Sequence, residues 1–418
     1  MLVTVSPTPF IVVSRDIIPV SVCELFITIC NRRLPGSLVY LGLVAVVTVN
    51  KDLLHSGLTA PKFSNKVLKI GDEIEDFALD ISLQLLLKTT RIKDMGSIGS
   101  STTVPPRYRT KNIEGIFLMD FVASQGGLYL DPEDKSVVAL SMSLNFQGNR
   151  GVDYNFYIRP IIEALERGEP IKRRSTGWNF FQSNLSECLE MGLRQERAIR
   201  MVQLARAQNA LPRPVSVCGP LRPPTRHGLD NLQVGDILIE INGAPVIRVT
   251  DLHVLTQVES AEVLVSRKGE EVLVNLQTHE LPSEWTEKIL FWAGGVFHRT
   301  HDAVLEQISP EFAAVSKVED FTDPANALYM GSYFYGSPGS GIPNTEWILE
   351  VNGEKVRSLE DMLKVVEKLK GKDGEYVRVK TLHRFGTTDI STIRLDSKFW
   401  PAATLEHKDG KWVRTELE

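Results

Sequence analysis

Gly235-Asp236-Ile237-Leu238-Ile239-Glu240-Ile241-Asn242-Gly243-Ala244-Pro245-Val246 and Glu346-Trp347-Ile348-Leu349-Glu350-Val351-Asn352-Gly353-Glu354-Lys355-Val356 are two versions of one pattern, with Asn352 lying 110 positions after Asn242. Each begins as an alternating strand and runs into Asn-Gly. That dipeptide supplies the positive φ angles of a tight hairpin, so each stretch predicts a strand, a sharp turn and a returning strand. An amphipathic helix is expected behind each, over Thr250 to Val258 in the first and Ser358 to Leu369 in the second. In the second helix Leu359, Met362, Leu363, Val366 and Leu369 share one face, with Ser358 and Asp361 as a capping pair and Gly371 as the stop. A period this long exceeds a solenoid unit and predicts a duplicated domain.

The rest of the composition sets broad limits. The chain has 418 residues, 43% hydrophobic and 24% charged, with a net charge of −5. This is ordinary globular composition with room for two to four domains. No basic half supports nucleic-acid binding. Cys23, Cys30, Cys188 and Cys218 show no C-x-x-C spacing and are expected as reduced, buried thiols. The apolar first fifty residues lack a basic leader, and charges interrupt them before a membrane-spanning length is reached, so buried strands are expected there.

Short β-branched runs dominate residues 1–156: Phe10 to Val13, Leu25 to Ile29, Val44 to Val49, Ile116 to Met119 and Ser136 to Leu140. They predict an all-β barrel or sandwich. A helix and linker are expected over 157–174, entered at Pro160 and stopped at Gly168. The duplicated units follow at 175–280 and 288–390, and a tail over 391–418 carries Trp412 close behind Trp400.

Gly228-Leu229, Val234-Gly235-Asp236-Ile237-Leu238 and Ile241-Asn242-Gly243 resemble the PDZ domains of HtrA-type serine proteases. The second unit's Trp292-Ala293-Gly294-Gly295-Val296-Phe297-His298, its Asn-Gly segment and Phe399-Trp400-Pro401 are similar to the fungal nuclear branch of that family. Members of that branch carry two protease units, the second degenerate, each followed by two PDZ-type units. Tyr157 to Leu165 resembles the helix joining protease to PDZ. The resemblance covers nearly the whole chain. It implies a mostly β fold with some α: a degenerate, N-terminally truncated trypsin-like double β-barrel followed by two PDZ-type α/β domains, this chain being the C-terminal half. An exposed sheet edge is then expected near Leu2 to Val13.

The same resemblance assigns sites. Gly177, Trp178, Asn179 and Phe180 stand at the carboxylate-binding loop, where backbone N–H groups grip a peptide's C-terminus while the peptide adds as a strand. Leu252 and Leu255 are candidates for side-chain pockets on the helix opposite, and core packing explains them equally well. Gly294, Gly295, Val296 and Phe297 take the loop position in the second unit. His298 and His301 have no third ligand at persuasive spacing, so solvent-facing or groove histidines are expected and no metal.

A serine protease needs a hydroxyl nucleophile, an imidazole base and an orienting carboxylate in one place. At the positions that match them stand Gly127, Asp16 and Leu43. A displaced site built from Ser124 and His55 is the weaker alternative. The chain is therefore expected to be catalytically inactive, without cofactor, binding polypeptide C-termini or unfolded segments through its PDZ domains and supporting a protease unit. Homo-oligomer formation is compatible with this, and neither nucleic acid nor membrane is expected as a partner. An active serine endopeptidase linked to apoptosis and lipid homeostasis, and a structural oligomerisation scaffold, are the alternatives. The resemblance implies the nucleus, with the cytoplasm also open; Lys172-Arg173-Arg174 reads as an import signal or as a solvated linker.

Overall fold

The computed structural model describes residues 2–4, 8–15, 17–18, 21–80, 82, 84–98, 113–120, 126–142, 150–208, 210–220, 232–280, 286–300, 328–333, 337–343, 346–383, 386–408 and 411–417. The fold is mostly β with few helices. It divides into two compact units, one built from Met1–Pro19, Glu24–Ser101 and Thr110–Ser283, the other from Val20–Cys23, Thr102–Arg109 and Glu284–Glu418.

The first unit opens with a five-stranded antiparallel sheet. Its strands are β1 (Leu2–Thr4), β2 (Phe10–Ser14), β3 (Leu25–Ile29), β4 (Arg32–Leu41) and β5 (Val44–Val49), in the order β1-β2-β5-β4-β3. The valine-rich β5 is nearly all buried, as an uninterrupted β-branched run requires. β1 lies at the sheet edge, within the stretch where an edge was expected.

A second group of strands closes on itself. β6 (Glu73–Leu79), β7 (Leu85–Ile98), β8 (Ile113–Leu118), β9 (Gly127–Leu130), β10 (Val137–Met142) and β11 (Arg150–Asp153) form a barrel in the order β10-β11-β8-β7-β6-β9. Ile74, Ile92, Ile116, Tyr129 and Val138 fill it. A π-helical turn over Tyr154–Ile158 then leads into α1 (Arg159–Glu166), which begins with Pro160 in its first turn, where a missing N–H costs nothing.

The first repeat has a sheet of order β13-β14-β15-β17-β18: β13 (Trp178–Gln182), β14 (Val215–Pro220), β15 (Ile237–Ile241), β17 (Ser260–Arg267) and β18 (Glu270–Gln277). The short β16 (Ala244–Pro245) returns on β15, and β12 (Arg174–Ser175) pairs with β19 (His279–Glu280). Helices α2 (Leu185–Glu190), α3 (Gln195–Ala207) and α4 (Val249–Leu255) pack around it.

In the second unit a nine-stranded sheet runs in the order β26-β25-β23-β22-β21-β20-β27-β28, with β24 (Glu354–Lys355) on β23. These strands are β20 (Lys288–Trp292), β21 (Gly295–Arg299), β22 (Leu328–Tyr333), β23 (Glu346–Val351), β25 (Tyr376–Leu382), β26 (Thr388–Arg394), β27 (Ala403–Lys408) and β28 (Lys411–Glu416). Helix α5 (Leu359–Lys368) covers the core, its first turn capped by the Ser358 hydroxyl accepting from the Asp361 N–H at 3.2 Å. A boundary at 390 falls inside β26, and the tail contributes β27 and β28 to the sheet.

The duplication holds bond for bond. Asn242 Oδ1 accepts from the Glu262 N–H at 2.9 Å, and Asn352 Oδ1 from the Arg378 N–H at 2.8 Å. Val246 N–H donates to Ile239 O at 2.9 Å, and Val356 N–H to Leu349 O at 2.8 Å. Asp251 and Asp361 each accept from the backbone four residues earlier. Both Asn-Gly pairs have positive φ, at 50° and 74° and at 49° and 79°, as the hairpin turn demands.

One expectation is corrected. Cys188 is buried, and burial pushes its thiol up to about 11, but Cys30 and Cys218 are exposed and Cys23 is half-buried. Cys30 sits in the β3–β4 turn at φ 49°, a position that faces outward for geometric reasons. Among the described residues no helix is long and apolar enough to cross a membrane.

Candidate functional site

The predicted loop and helix of the first repeat come together at the edge of its sheet. β13 pairs with β14 along one side, and among the described residues its other side carries no strand. Gly177 precedes it with φ 74°, which lets the chain turn sharply into the strand. The Gly177 N–H donates to Ser175 Oγ at 3.1 Å and the Trp178 N–H to Thr176 Oγ1 at 3.2 Å. The loop's donors are thus held by neutral hydroxyls of its own chain. A carboxylate is the stronger acceptor, because a charge-assisted bond is roughly twice as strong as a neutral one.

Phe180 and Leu252 are both buried in the core of this repeat with Val217, Ile241 and Val263. Trp178 and Leu255 are half-buried at the border of that cluster. The two leucines therefore divide: Leu252 is core, and Leu255 is half-buried at its border. Asn179 is half-buried, next to a bulge in the β13–β14 ladder.

Arg174 and Gln257 hold the loop against the helix end, and the sequence reading assigns neither to this site. Arg174 N–H donates to Gln257 Oε1 at 3.0 Å while Gln257 Nε2 donates to Arg174 O at 3.2 Å. The Arg174 guanidinium donates to Thr278 Oγ1 at 2.7 Å and Thr278 O at 3.0 Å. The basic run at 172–174 was the available signal, but it reads as a solvated linker until the fold brings Thr278 beside it.

The second repeat differs where it matters. Its β21 matches β13 in register down to the bulge: Phe180 lies opposite Val217 just past an irregularity, as Phe297 lies opposite Met330. Yet β21 is paired on both sides, with β22 and with β20. Ala293 and Gly294, at φ 51° and 78°, make a two-residue hairpin turn joining β20 to β21. Gly294 and Gly295 are thus turn and strand, Val296 is half-buried, and Phe297 is fully buried in the core. The expected peptide loop here is corrected: the chain's own β20 occupies the edge a peptide would take, and α5 packs on both β20 and β21.

His298 is also corrected. It is buried rather than solvent-facing, its Nδ1 lies 2.6 Å from Arg299 O, and burial holds its imidazole below the usual range. His301 lies outside the described residues. Among the described residues no group of three or more His, Cys, Asp or Glu side chains is arranged to hold a metal ion.

The three barrel positions fare as follows. Asp16 and Ser124 lie outside the described residues. Leu43 is half-buried in the turn between β4 and β5. Gly127 begins β9 opposite Ala78 of β6, and a Cβ there would overlap the Phe77 carbonyl oxygen. Any side chain at 127 must displace backbone. His55 is exposed, and its Nδ1 accepts from the Gly57 N–H at 3.1 Å, a local turn bond.

The first repeat is fastened to the barrel by polar contacts within the first unit. Glu114 of β8, 4% exposed, accepts from the Thr250 N–H and hydroxyl and from Arg248 Nη1 at 3.4 Å. Arg213 Nη2 contacts both oxygens of Asp94 at 2.6 Å, and the Ser97 N–H donates to Gln182 Oε1 at 2.8 Å. Asp153, beside this joint, is pushed up to about 7 by burial; Glu114 adds to the rise, while the Asn155 N–H and Arg248 oppose it.

No protein-family model matches the chain. It is 25% identical over 416 residues to the pro-apoptotic serine protease NMA111 of Phaeosphaeria nodorum, covering 95% of this chain and 38% of the relative. The pro-apoptotic serine protease NMA111 of Yarrowia lipolytica is 24% identical over 426 residues, covering 96% and 40%. The chain spans about two fifths of the length of the curated relatives it matches. Among solved structures, the HtrA-type protease AlgW with a tripeptide is 13% identical with a TM-score of 0.46, covering 68% of this chain and 88% of that one. The serine endoprotease from Yersinia pestis is 14% identical with a TM-score of 0.41, at 68% and 88% coverage.

Proposed function

We propose that this chain, which belongs by sequence with the HtrA-like serine proteases, holds polypeptide without cutting it. The observation that carries the reading is the side of β13 that, among the described residues, carries no strand. An extended peptide adds there as a further strand, its backbone completing the ladder and its alternate side chains meeting Trp178 and Leu255. A free C-terminal carboxylate takes the N–H groups of Gly177 and Trp178 from the Ser175 and Thr176 hydroxyls.

Cleavage is not part of the role. Leucine at position 43 has no charge with which to orient an imidazole, and glycine at 127 has no nucleophile and no room for one. The chain then works as the recognition half of a larger protease system, presenting polypeptide ends to a separate catalytic unit. The names of its relatives support a part in programmed cell death, and we take the nucleus as its site of action.

The second repeat plays a structural part. With β21 closed on both sides by its own chain, it offers a rigid sheet rather than a groove.

Two measurements test the proposal. A fluorophosphonate probe should leave the chain unlabelled, and modification of one serine would overturn the non-catalytic role. Peptides with a free apolar C-terminus should bind more tightly than their amidated forms; equal affinity, or none, would overturn carboxylate capture.

A further inference from the structure

A cleft of about 470 Å³ opens between α1, the linker that follows it and α4, all within the first unit. The π-helical turn contributes Tyr157 to its wall, and α1 contributes Ile161 and Ala164, whose spacing of three keeps them on one helix face. Val254 faces them from α4, one turn beyond Thr250, which also lines the cleft. No residue of β13 lines it, so the cleft is separate from the strand edge described above. Its volume is that of a small-molecule site, for which about 300–1,000 Å³ is usual, and so is its makeup of apolar walls with a few charged groups.

Those charges do not balance. Arg167 Nε holds Glu169 at 2.9 Å, and Lys172 Nζ lies 3.5 Å from Glu280, an acid that Arg174 shares. Arg173 also lines the cleft; it is half-buried and has no ion-pair partner among the described residues. Its charge reaches the cleft wall: burial raises the Tyr157 phenol, and Arg173 works against that rise. A guanidinium drawn partly out of water without a counterion is unfavourable, and an anion seated beside it relieves the cost.

One unpaired guanidinium calls for one negative charge, and its planar fork matches the two oxygens of a carboxylate. The other walls call for carbon. Ile161 and Ala164 are buried, and Val254, 46% exposed, is a large aliphatic side chain left to be covered.

We infer that the cleft binds a small amphiphilic carboxylate, its anion on Arg173 and its apolar body against Ile161, Ala164 and Val254. The body is an acyl chain or an aromatic ring system, since both present carbon to these walls and one charge to the arginine. The linker over 169–173 leads from α1 into the first repeat, so an occupied cleft braces α1 against α4 and stabilises the first unit by mass action.

The test uses the whole chain and isothermal titration calorimetry with decanoate and 1-naphthaleneacetate, each beside its neutral amide. The carboxylate that binds more tightly identifies the body as acyl or aromatic. It should bind one-to-one and exceed its own amide by at least about tenfold, the scale of a charge-assisted contact. Arg173→Gln should bring the carboxylate down to the level of the amide and leave the amide unchanged. Val254→Trp, at a position exposed enough to accept the ring, should weaken both by filling the cleft. An amphiphile that merely coats exposed apolar surface, such as Leu85 and Leu87 on β7, is indifferent to both substitutions. The comparison of acid with amide on the parent chain decides the matter without either variant. Equal binding of acid and amide, equal binding of the acid by Arg173→Gln and the parent chain, or no binding of any probe would overturn the site.

Discussion

Glu114 of barrel strand β8 accepts both the backbone N–H and the hydroxyl of Thr250, at 3.1 and 2.5 Å, across 136 positions of sequence. Thr250 stands in the first turn of α4, so one buried carboxylate ties that helix to the barrel. Arg248 supplies the countercharge at 3.4 Å, its side chain 12% exposed. Removing the acid leaves that guanidinium with Asp251 alone, 3.5 Å away, and the helix N–H without an acceptor. Glu114→Ala should cost about 3 kcal/mol and Glu114→Gln roughly 1–2 kcal/mol in urea unfolding of the first unit. A loss below about 0.5 kcal/mol for the alanine variant would mean that the joint is held elsewhere.

Asp153 makes the same joint sensitive to pH. Its carboxyl is raised to about 7, chiefly by burial, and its Oδ2 has no hydrogen-bond partner. The folded state thus holds a proton that the unfolded chain releases near the ordinary aspartate value. The stability this contributes is full below about pH 4 and is lost as pH rises through about 7. Asp153→Asn keeps the acceptor used by the Asn155 N–H at 2.8 Å. It should match the parent chain at pH 4 and exceed it at pH 8 by roughly 2–4 kcal/mol. A constant difference across that range, read by thermal unfolding at each pH, would assign the ionisation to another group.

Gly127→Ser tests the proposed lack of a nucleophile at the start of β9. The new Cβ meets the Phe77 carbonyl across the β6–β9 ladder, so β9 must move. The variant should lose about 1–3 kcal/mol of stability and remain unlabelled by a fluorophosphonate. Labelling of the introduced serine would show that the barrel still assembles a working base.

Gly294→Ala probes the second repeat alone. Its φ of 78° and its closeness to Ser337 leave no room for a methyl group. Unfolding of the second unit should become easier by roughly 1–3 kcal/mol, while peptide affinity at β13 stays unchanged. A parallel fall in affinity would mean that the second repeat takes part in binding.

Much of this was legible because it is local. Asn242-Gly243 and Asn352-Gly353 announce their turns through backbone geometry, and the α5 stripe of Leu359, Met362 and Val366 announces its buried face. That Leu43 offers no charge and Gly127 no hydroxyl is likewise readable from residue type. What escaped is non-local. Ala293-Gly294-Gly295 suits a carboxylate loop as well as a hairpin turn, and only the pairing of β20 with both β21 and β27 decides between them. The strongly polar helix α3, with Arg197 bonded to Glu240 and Glu271, offers too little apolar periodicity to predict. Glu114 carries no local sign of burial, since Arg248 and Thr250 reach it from 134 and 136 positions away.

The most direct measurement is hydrogen exchange read by mass spectrometry, with and without a nonapeptide that has a free apolar C-terminus. Slower exchange confined to residues 178–182 and the adjoining loop, with 289–299 unchanged and the added peptide recovered at its full mass, is the expected outcome. Protection along 289–299 in place of 178–182, or recovery of peptide fragments, would contradict a chain that grips polypeptide at β13 and leaves it whole.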